Sequence, residues 1–476
     1  MLFISSAFAV FLPIVFGAYW MLHRHTRAQN LVLLIGSFVF YGWWDARFLI
    51  LLVANGLLDF ILAQRIESNV DIRQRKNLLL VSVFANMGTL GFFKYFDFFS
   101  KEFASLLSDM GFHANPILLE VILPVGISFY TFQTLSYTID VYRGLLPASK
   151  SPITFLAFVS FFPQLVAGPI ERAVNFLPQF QRARSFNVNH ATDGMRQMLW
   201  GFFKKAVIAD GCAPIVDQMF SEPGWYSGST LAFGAILFAF QIYCDFSGYT
   251  DIALGCARLF GFELMRNFAY PYFSRDIAEF WRRWHISLST WFRDYVYLPL
   301  GGSRGNKWNQ LRNVMIVFLI SGFWHGANWN FLMWGLLNGM LFIPLLIEGK
   351  NKRYARRGSL ANDVAGLRDM HKVLLTFTMT TITWIFFRSD TISEALRYLR
   401  GITTKSLFTI PDNFNIWLIM AIIFLIVTEW IQIRRRHGLD LSGVSALGRW
   451  TIYIVIFNFV FFLGRFGNES FIYFQF

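Results

Sequence analysis

Long apolar runs separated by short polar stretches dominate the chain. A membrane-spanning helix needs about 20 apolar residues, and several of the runs are shorter, which indicates tilted, broken or re-entrant helices. The pattern predicts an all-α polytopic membrane protein with about 11–13 transmembrane or re-entrant helices. The apolar runs lie at residues 1–20, 31–44, 48–62, 78–93, 117–139, 153–166, 231–246, 314–324, 329–346, 373–387, 416–433 and 450–464.

The composition supports the membrane class. Of the 476 residues, 55% are hydrophobic and only 15% are charged, whereas a soluble globular protein carries about 25% charged residues. A net charge of +13 would suggest a nucleic-acid partner for a soluble domain. In a membrane protein it indicates Lys and Arg concentrated in cytoplasmic loops beside anionic lipids. We therefore expect membrane lipids, and no nucleic acid, as partners.

The early loops predict the orientation of the chain. The first run has no basic segment before it and no small-residue cleavage site, so we expect a retained first span. The loops at residues 23–27 and 65–76 are basic and the loop at 45–47 is not, which puts the N-terminus outside the cytoplasm. The same alternation puts residues 221–230, which have no Lys or Arg, outside. Without repeats or a polar linker, the sequence predicts one membrane domain over residues 1–476.

Residues 258–312 form the most polar interior stretch. They contain nine Lys or Arg residues, four Asp or Glu residues, and the regularly spaced Trp281, Trp284 and Trp291. This mixture cannot lie in hydrocarbon, and the aromatic spacing is too regular for an unstructured loop. We expect interfacial helices whose basic excess faces the cytoplasm.

His325 is the first candidate for chemistry. It lies between two apolar runs, and its spacing from Ser321 and Asn328 places all three on one face of a continuous helix. An ionisable side chain at membrane depth is a functional hypothesis, and histidine can act as a general base near neutral pH. The spacing alone equally allows His325 to hydrogen-bond a neighbouring helix.

His285 is the second candidate. It follows Arg282 and Arg283 and precedes Ser287 in a Trp-rich segment. Nearby positive charge disfavours a protonated imidazole, so a neutral ring is expected. The alternative is an interfacial amphipathic helix that His285 anchors among lipid headgroups.

Two carboxylates lie in or beside a span, at Asp245 and Asp251. Six residues apart, they do not share a helical face unless Gly248 breaks the helix. They can relay protons or bind a cation, or they can pair with the arginines that follow. The sequence shows neither a thiolate pair nor a metal-binding motif, so no metal site is expected. Gly335 and Gly339 form a GxxxG pattern that predicts only close helix packing.

Two of these segments together resemble a known family. Residues 281–295 (WRRWHISLSTWFRDY), followed by Phe323-Trp324-His325-Gly326, resemble the membrane-bound O-acyltransferase family. Within it the chain is similar to the bacterial alginate O-acetylase-like branch. The other segments that carry the resemblance are residues 124–133, 162–169, 245–249, 297–302 and 471–476.

This resemblance implies a funnel-like helical core in the bacterial inner membrane. It implies transfer of an acetyl group from a cytoplasmic thioester, acetyl-CoA as co-substrate with no tightly bound cofactor, to a hydroxyl on the far side. The acceptor can be alginate, cellulose, another exopolysaccharide, peptidoglycan or a partner protein that relays the group. The resemblance makes His325 the essential histidine and His285 a second polar group of the active site.

The residues give these roles a physical basis. A hydroxyl attacks well only when a base takes its proton, and the carbonyl oxygen then needs a hydrogen-bond donor. His325 is the expected base, with His285, Ser321 or Asn328 as alternative donors and Asp245 as a supporting polar group.

We expect Arg282 and Arg283 to bind the phosphates of the donor. The partners expected are a periplasmic acetyltransferase and an exopolysaccharide synthesis complex. Two other classes stay open at this point. One is a proton-coupled transporter or flippase that uses the same Asp and His, and the other is a structural scaffold.

Overall fold

The computed structural model describes residues 1–112, 115–119, 122–351, 365–412, 415–466 and 471–472. These residues form helices and contain no strand, which confirms the all-α class. The α-helices are α1 Ser6–Met21, α2 Thr26–Gly42, α3 Arg47–Ser68, α4 Ile72–Asp109, α5 Ile127–Tyr142, α6 Pro152–Ser160, α7 Phe162–Leu165, α8 Ala173–Gln181, α9 Val188–Phe202, α10 Asp210–Ser221, α11 Gly228–Leu259, α12 Ile277–Arg283, α13 Ile286–Phe292, α14 Lys307–His325, α15 Trp329–Ile347, α16 Met370–Arg388, α17 Ile392–Ile402, α18 Ile416–Ile431 and α19 Ala446–Leu463.

Shorter helical segments complete the secondary structure. Phe203–Ala209 and Arg293–Tyr297 are π-helical, and the first of them joins α9 to α10 without a break. Single-turn π segments are common at functional sites. The 3₁₀ turns are Pro223–Trp225, Pro271–Phe273, Leu367–Asp369 and Lys405–Phe408.

Five of the described helices are long and apolar enough to cross a membrane, namely α3, α4, α11, α15 and α19. α1 and α18 are apolar but shorter. The multi-pass class is thus confirmed, and other runs form short or interrupted helices. Residues 153–166, for example, are divided between α6 and α7 at Phe161.

The described residues group into two compact units. The first comprises residues 1–191 and 256–265, and the second comprises residues 192–255 and 266–476. The expectation of one membrane domain stays a prediction. Both candidate histidines belong to the second unit.

The first unit is a helical assembly in which α3, α4 and α5 pack against one another. Asp59 on α3 is fully buried and accepts hydrogen bonds from Ser82 Oγ (2.5 Å) and Asn86 Nδ2 (2.8 Å) on α4. Buried polar groups need such partners because they have lost their hydration. The network therefore links α3 to α4 through buried polar side chains.

In the second unit, α14 and α15 form a closely packed hairpin. Gly322 on α14 faces Gly335 on α15, with 3.5 Å between the Cα of Gly335 and an ideal Cβ at Gly322. A Cβ at Gly335 would collide with the backbone carbonyl of Phe318. The predicted packing role of the GxxxG glycines is confirmed, and this contact fixes the position of His325 at the end of α14.

We predict that Gly335→Ala destabilises the hairpin. The added methyl group cannot fit against the Phe318 carbonyl, and overpacking of this kind costs about 1–3 kcal/mol. Gly88→Ala is the matched control, because Gly88 also lies within a helix and nothing is found within 4 Å of its ideal Cβ. Thermal unfolding of the purified protein in detergent should show a lower Tm for Gly335→Ala only. Equal Tm values for the two variants would contradict the close contact.

Candidate active site

His325 is the last residue of α14 and lies in an aromatic enclosure. It is 5% exposed, and its ring centroid lies 4.9 Å from that of Trp324, 5.1 Å from Trp334 on α15 and 5.3 Å from Phe387 on α16. Three surrounding aromatic rings keep bulk water away from the imidazole. Such an environment strengthens every electrostatic interaction that the ring makes with a reacting group.

The helical-face prediction holds for Ser321 and fails for Asn328. Ser321 is buried one turn before His325 on α14, but Gly326 is extended and ends the helix. Asn328 caps α15, where its Oδ1 accepts from the Asn330 amide (3.1 Å) and its Nδ2 donates to the Asp390 carbonyl (2.9 Å). Both the oxygen and the nitrogen of the Asn328 side chain are thus engaged in structural hydrogen bonds. Its predicted role as an oxyanion donor therefore does not fit.

His285 lies between the short helices α12 and α13. It is 1% exposed, and its φ of 44° is left-handed, which is unfavourable for a residue other than glycine. Its Nδ1 lies 3.1 Å from Asn267 Oδ1, and its ring meets Phe246 edge to face at 4.6 Å. Buried contacts on both sides therefore hold a strained backbone position.

The two histidines meet the same indole ring. The Trp324 centroid lies 6.2 Å from the His285 ring and 4.9 Å from the His325 ring. Residues 40 positions apart in the sequence are thus collected around one buried tryptophan. The structure thus brings both candidate histidines against the same side chain.

Burial keeps His285 neutral. It lies outside the five membrane-spanning helices, and the loss of hydration lowers the pKa of its imidazole to about 3. A neutral ring was expected from the flanking arginines, but desolvation is the cause, since the Arg283 charge is balanced by Glu279.

An arginine–glutamate cluster forms the core of α12. Glu279 is 1% exposed and pairs with Arg275 (3.0 Å) and with Arg283 (2.8 Å). Arg283 also donates to the Ala269 carbonyl at 3.1 Å. These charges are buried in protein and paired with one another, and the interfacial position of the segment stays a prediction. Arg283 is engaged in this cluster, so its predicted contact with donor phosphates does not fit.

Arg282 differs from its neighbour. It is partly exposed, and its Nη1 donates to the Asn351 carbonyl at 2.9 Å. The exposed basic side chains of the same stretch follow α13, at Arg293, Arg304, Lys307 and Arg312. The basic excess predicted for residues 258–312 is therefore exposed mainly in its second half.

Asp245 and Asp251 pair with lysines of the π-helical segment. Lys205 Nζ lies 2.8 Å from Asp245 and 2.7 Å from Asp210, and Lys204 Nζ lies 2.5 Å from Asp251. α11 continues through Gly248, so the two carboxylates lie on different faces as expected. The expected pairing with the following arginines is wrong. Because the partner cations are present and buried, the pairs do not favour the proton path of a transporter.

Asp245 also holds the end of the described chain. Its Oδ2 accepts a 2.7 Å hydrogen bond from the Ile472 amide, and the Phe471 ring lies 5.8 Å from Phe246. Asp245 therefore has a structural role near His285, because it holds the chain segment that packs against Phe246. Residues 473–476 of the similarity segment lie outside the described residues.

Sequence reasoning missed Asn267, Lys204 and Lys205. Asn267 is fully buried and hydrogen-bonds the His285 segment from 18 residues away. Adjacent lysines within an apolar stretch, Lys204 and Lys205, were a usable signal, since buried lysines need carboxylate partners. Nothing in the sequence distinguishes Asn267 from other asparagines.

Within the described ranges, no group of three or more His, Cys, Asp or Glu side chains is arranged to hold a metal ion. The three cysteines, Cys212, Cys244 and Cys256, are each buried and free of disulfides.

Comparison with known proteins identifies the family to which the chain belongs. A family model described as MBOAT, membrane-bound O-acyltransferase family, matches residues 145–347, which include His285 and His325. The chain is 39% identical over 399 residues to the probable alginate O-acetylase AlgI of Pseudomonas aeruginosa, a match that covers 83% of this chain and 74% of that protein.

Two further relatives have other printed functions. The peptidoglycan O-acetyltransferase of Helicobacter pylori is 34% identical over 82% of this chain and 77% of its own length. The teichoic acid D-alanyltransferase of Streptococcus thermophilus is 30% identical over 55% of this chain and 68% of its own length. Identity at this level over most of both chains shows common descent, and the protein is an acyltransferase that belongs to the membrane-bound O-acyltransferase family.

Proposed function

We propose that this enzyme takes an acetyl group from acetyl-CoA on the cytoplasmic side of a bacterial inner membrane and passes it on for O-acetylation of an exopolysaccharide. The observation that carries the proposal is the placement of His285 and His325 against one buried tryptophan, Trp324. The relatives named as acetyl-transferring enzymes support acetyl as the group transferred.

His325 is the proposed general base. As the acceptor oxygen attacks the thioester carbonyl carbon, a C–O bond forms and the C–S bond breaks. The hydroxyl proton passes to His325 and from there to the departing thiolate sulfur, so the histidine returns to its neutral form. The carbonyl oxygen carries negative charge in the transition state and needs a donor. Ser321, buried one turn away on the same helix face, is the remaining candidate from α14.

The donor enters from the side that carries the exposed basic residues. Arg293, Arg304, Lys307 and Arg312 are exposed around the start of α14, and Arg282 is partly exposed. Guanidinium and ammonium groups bind phosphate by charge-assisted hydrogen bonds. These side chains suit the phosphates of coenzyme A better than Arg283, whose charge is already paired with Glu279.

The acetyl group is passed to a partner protein. Residues 94–116 follow the fourth apolar run, and the loop alternation puts them outside the cytoplasm. They have no cleft-like composition, and residues 94–109 continue helix α4. Residues 113 and 114 lie outside the described residues. A periplasmic acetyltransferase with its own nucleophile, associated with an exopolysaccharide synthesis complex, is therefore the proposed acceptor.

We predict that His325→Ala abolishes acetylation without removing the protein from the membrane. Loss of a general base lowers the rate by about 10²–10⁴-fold. His285→Ala should cause a smaller loss. The acetyl content of the polymer is measured in cells with matched protein levels, with His190→Ala as the control because His190 is exposed. Wild-type acetylation in His325→Ala cells would refute the mechanism.

We predict that the basic end of α14 faces the cytoplasm. Ser303 is exposed beside Arg304, and the three native cysteines are fully buried, so Ser303→Cys adds one reactive thiol. A membrane-impermeant maleimide should label this thiol only from the cytoplasmic side. Ser221→Cys, exposed and expected outside, is the control. Labelling of Ser303→Cys from the periplasm alone would overturn both the topology and the side of donor binding.

We predict that the purified protein does not acetylate polysaccharide alone. With acetyl-CoA and isolated polymer, but no partner, only slow hydrolysis of the thioester should occur. The released thiol and the polymer-bound acetyl groups are quantified in the same reaction. Efficient polymer acetylation in this mixture would contradict the relay.

A further inference from the structure

Asn267 contacts the His285 segment through both its backbone and its side chain. Its carbonyl accepts a hydrogen bond from the Ile286 amide at 2.9 Å. Its Oδ1 lies 3.1 Å from His285 Nδ1, 3.2 Å from the Ser287 amide nitrogen and 3.0 Å from Ser287 Oγ. Asn267 is fully buried. The backbone and side chain of one residue together therefore hold three consecutive residues, 285–287.

The Ser287 amide fixes the orientation of the Asn267 side chain. An amide oxygen and nitrogen are normally hard to distinguish, and their assignment depends on the hydrogen-bond network. A backbone N–H can only donate, so the Asn267 atom that faces the Ser287 amide must be the oxygen. The same oxygen faces His285 Nδ1.

This orientation fixes the tautomer of His285. An oxygen that only accepts requires a proton on the nitrogen facing it, so Nδ1 carries the N–H. Ser287 Oγ, 3.4 Å from Nδ1, donates its own proton to the Asn267 oxygen at the shorter distance. A neutral imidazole has one protonated nitrogen, and its lone pair therefore lies on Nε2.

We propose that Asn267 is a positioning residue that holds His285 in the Nδ1–H tautomer, so that Nε2 shares the hydrogen bond of the attacking hydroxyl and orients it, while His325 takes its proton. This inference rests on the proposed acyl transfer. It assigns His285 to the proton-accepting side of the reaction and excludes it as the donor to the carbonyl oxygen. His285 then orients the hydroxyl by hydrogen bonding, His325 takes the proton, and the oxyanion donor is a different group.

The backbone geometry supports a positioning role. His285 has a φ of 44°, and strained conformations of this kind persist only where surrounding contacts over-determine them. The hydrogen bonds from Ile286 and Ser287 to Asn267 flank the strained residue on its C-terminal side. The same asparagine thus sets both the chain path and the ring orientation.

Charged groups in this neighbourhood are already paired with other partners. Arg283 pairs with Glu279, Asp245 with Lys205, and Lys204 with Asp251. Arg266 donates to the Phe268 carbonyl at 2.7 Å, and the Tyr270 ring lies 4.6 Å below its guanidinium carbon. A carboxylate placed at residue 267 would therefore be the charge that acts most directly on His285.

Asn267→Asp is the decisive variant. Asn267 Nδ2 has no hydrogen-bond partner within the described part of the chain, so aspartate keeps every contact made by Oδ1. Its negative charge stabilises the imidazolium, and an opposite charge at this distance shifts a pKa by about one to three units. Because His285 must be neutral to accept the hydrogen bond of the hydroxyl, the acid limb of the rate profile should move to higher pH by about one to three units, while the rate at high pH stays near that of the wild type.

Asn267→Ala removes the acceptor. The tautomer is then unconstrained, and the acetyl-transfer rate should fall by about 10²-fold or more. Asn30→Ala is the control, because Asn30 is another buried asparagine, hydrogen-bonded to Phe180 and Arg184 in the first unit. It reports the effect of losing a buried amide on folding alone.

Nitrogen NMR of ¹⁵N-histidine-labelled protein measures the tautomer of His285 without any acyl-transfer reaction. The signals that disappear in His285→Gln are assigned to the His285 ring nitrogens. We expect a protonated Nδ1 in the wild type and in Asn267→Asp. A protonated Nε2 in the wild type would overturn the inference and leave the proposed function intact. The inference would also be overturned if Asn267→Asp left the pH profile unchanged and Asn267→Ala lost acetyl-transfer rate only in proportion to its protein level. A correct tautomer in a protein that transfers no acetyl group would instead contradict the proposed function.

Discussion

The loss of hydration inside the second unit is the constraint on which the site depends. A charged or hydrogen-bonding group that leaves water must find a partner within the protein. Glu279 meets this requirement with two arginines, and Asp245 meets it with Lys205. The Glu279 pairs hold the short helix α12, which has too few residues to be stable alone, and the Asp245 pair joins α11 to the π-helical segment. The positions of the two histidines follow from the arrangement of the pairs and from the packing of α14 against α15.

The same constraint separates structural from chemical polar groups. Arg283 was predicted to bind the donor phosphates and Asp245 to be a supporting polar group, yet each is engaged by buried partners of opposite charge. His285 and His325 are buried chiefly among aromatic rings. The loss of hydration lowers the pKa of His285, so its neutral imidazole keeps a lone pair for the attacking hydroxyl. In this site we therefore assign a structural role to the buried, charge-paired Arg283 and Asp245, and a chemical role to the histidines, which are buried against aromatic rings.

Local sequence patterns predicted the parts of this structure that depend on local features. The apolar runs predicted the all-α membrane class, and the GxxxG glycines predicted close packing. Helical spacing placed Ser321 beside His325 correctly, but it failed at Asn328 because Gly326 ends the helix first. Asn267 could not be found, since its role arises only when an irregular segment folds back on residues 285–287. Tertiary contacts over such separations leave no periodic signal.

The central claim is that His285 and His325 act as one catalytic unit. The most direct test compares the acetyl-transfer rates of His285→Ala, His325→Ala and the double variant at matched protein levels. When residues act on one proton transfer, the rate losses caused by replacing them are strongly non-additive. The account predicts that the double variant is about as slow as His325→Ala alone. A double variant whose loss equals the product of the two single losses would show independent roles and would contradict it.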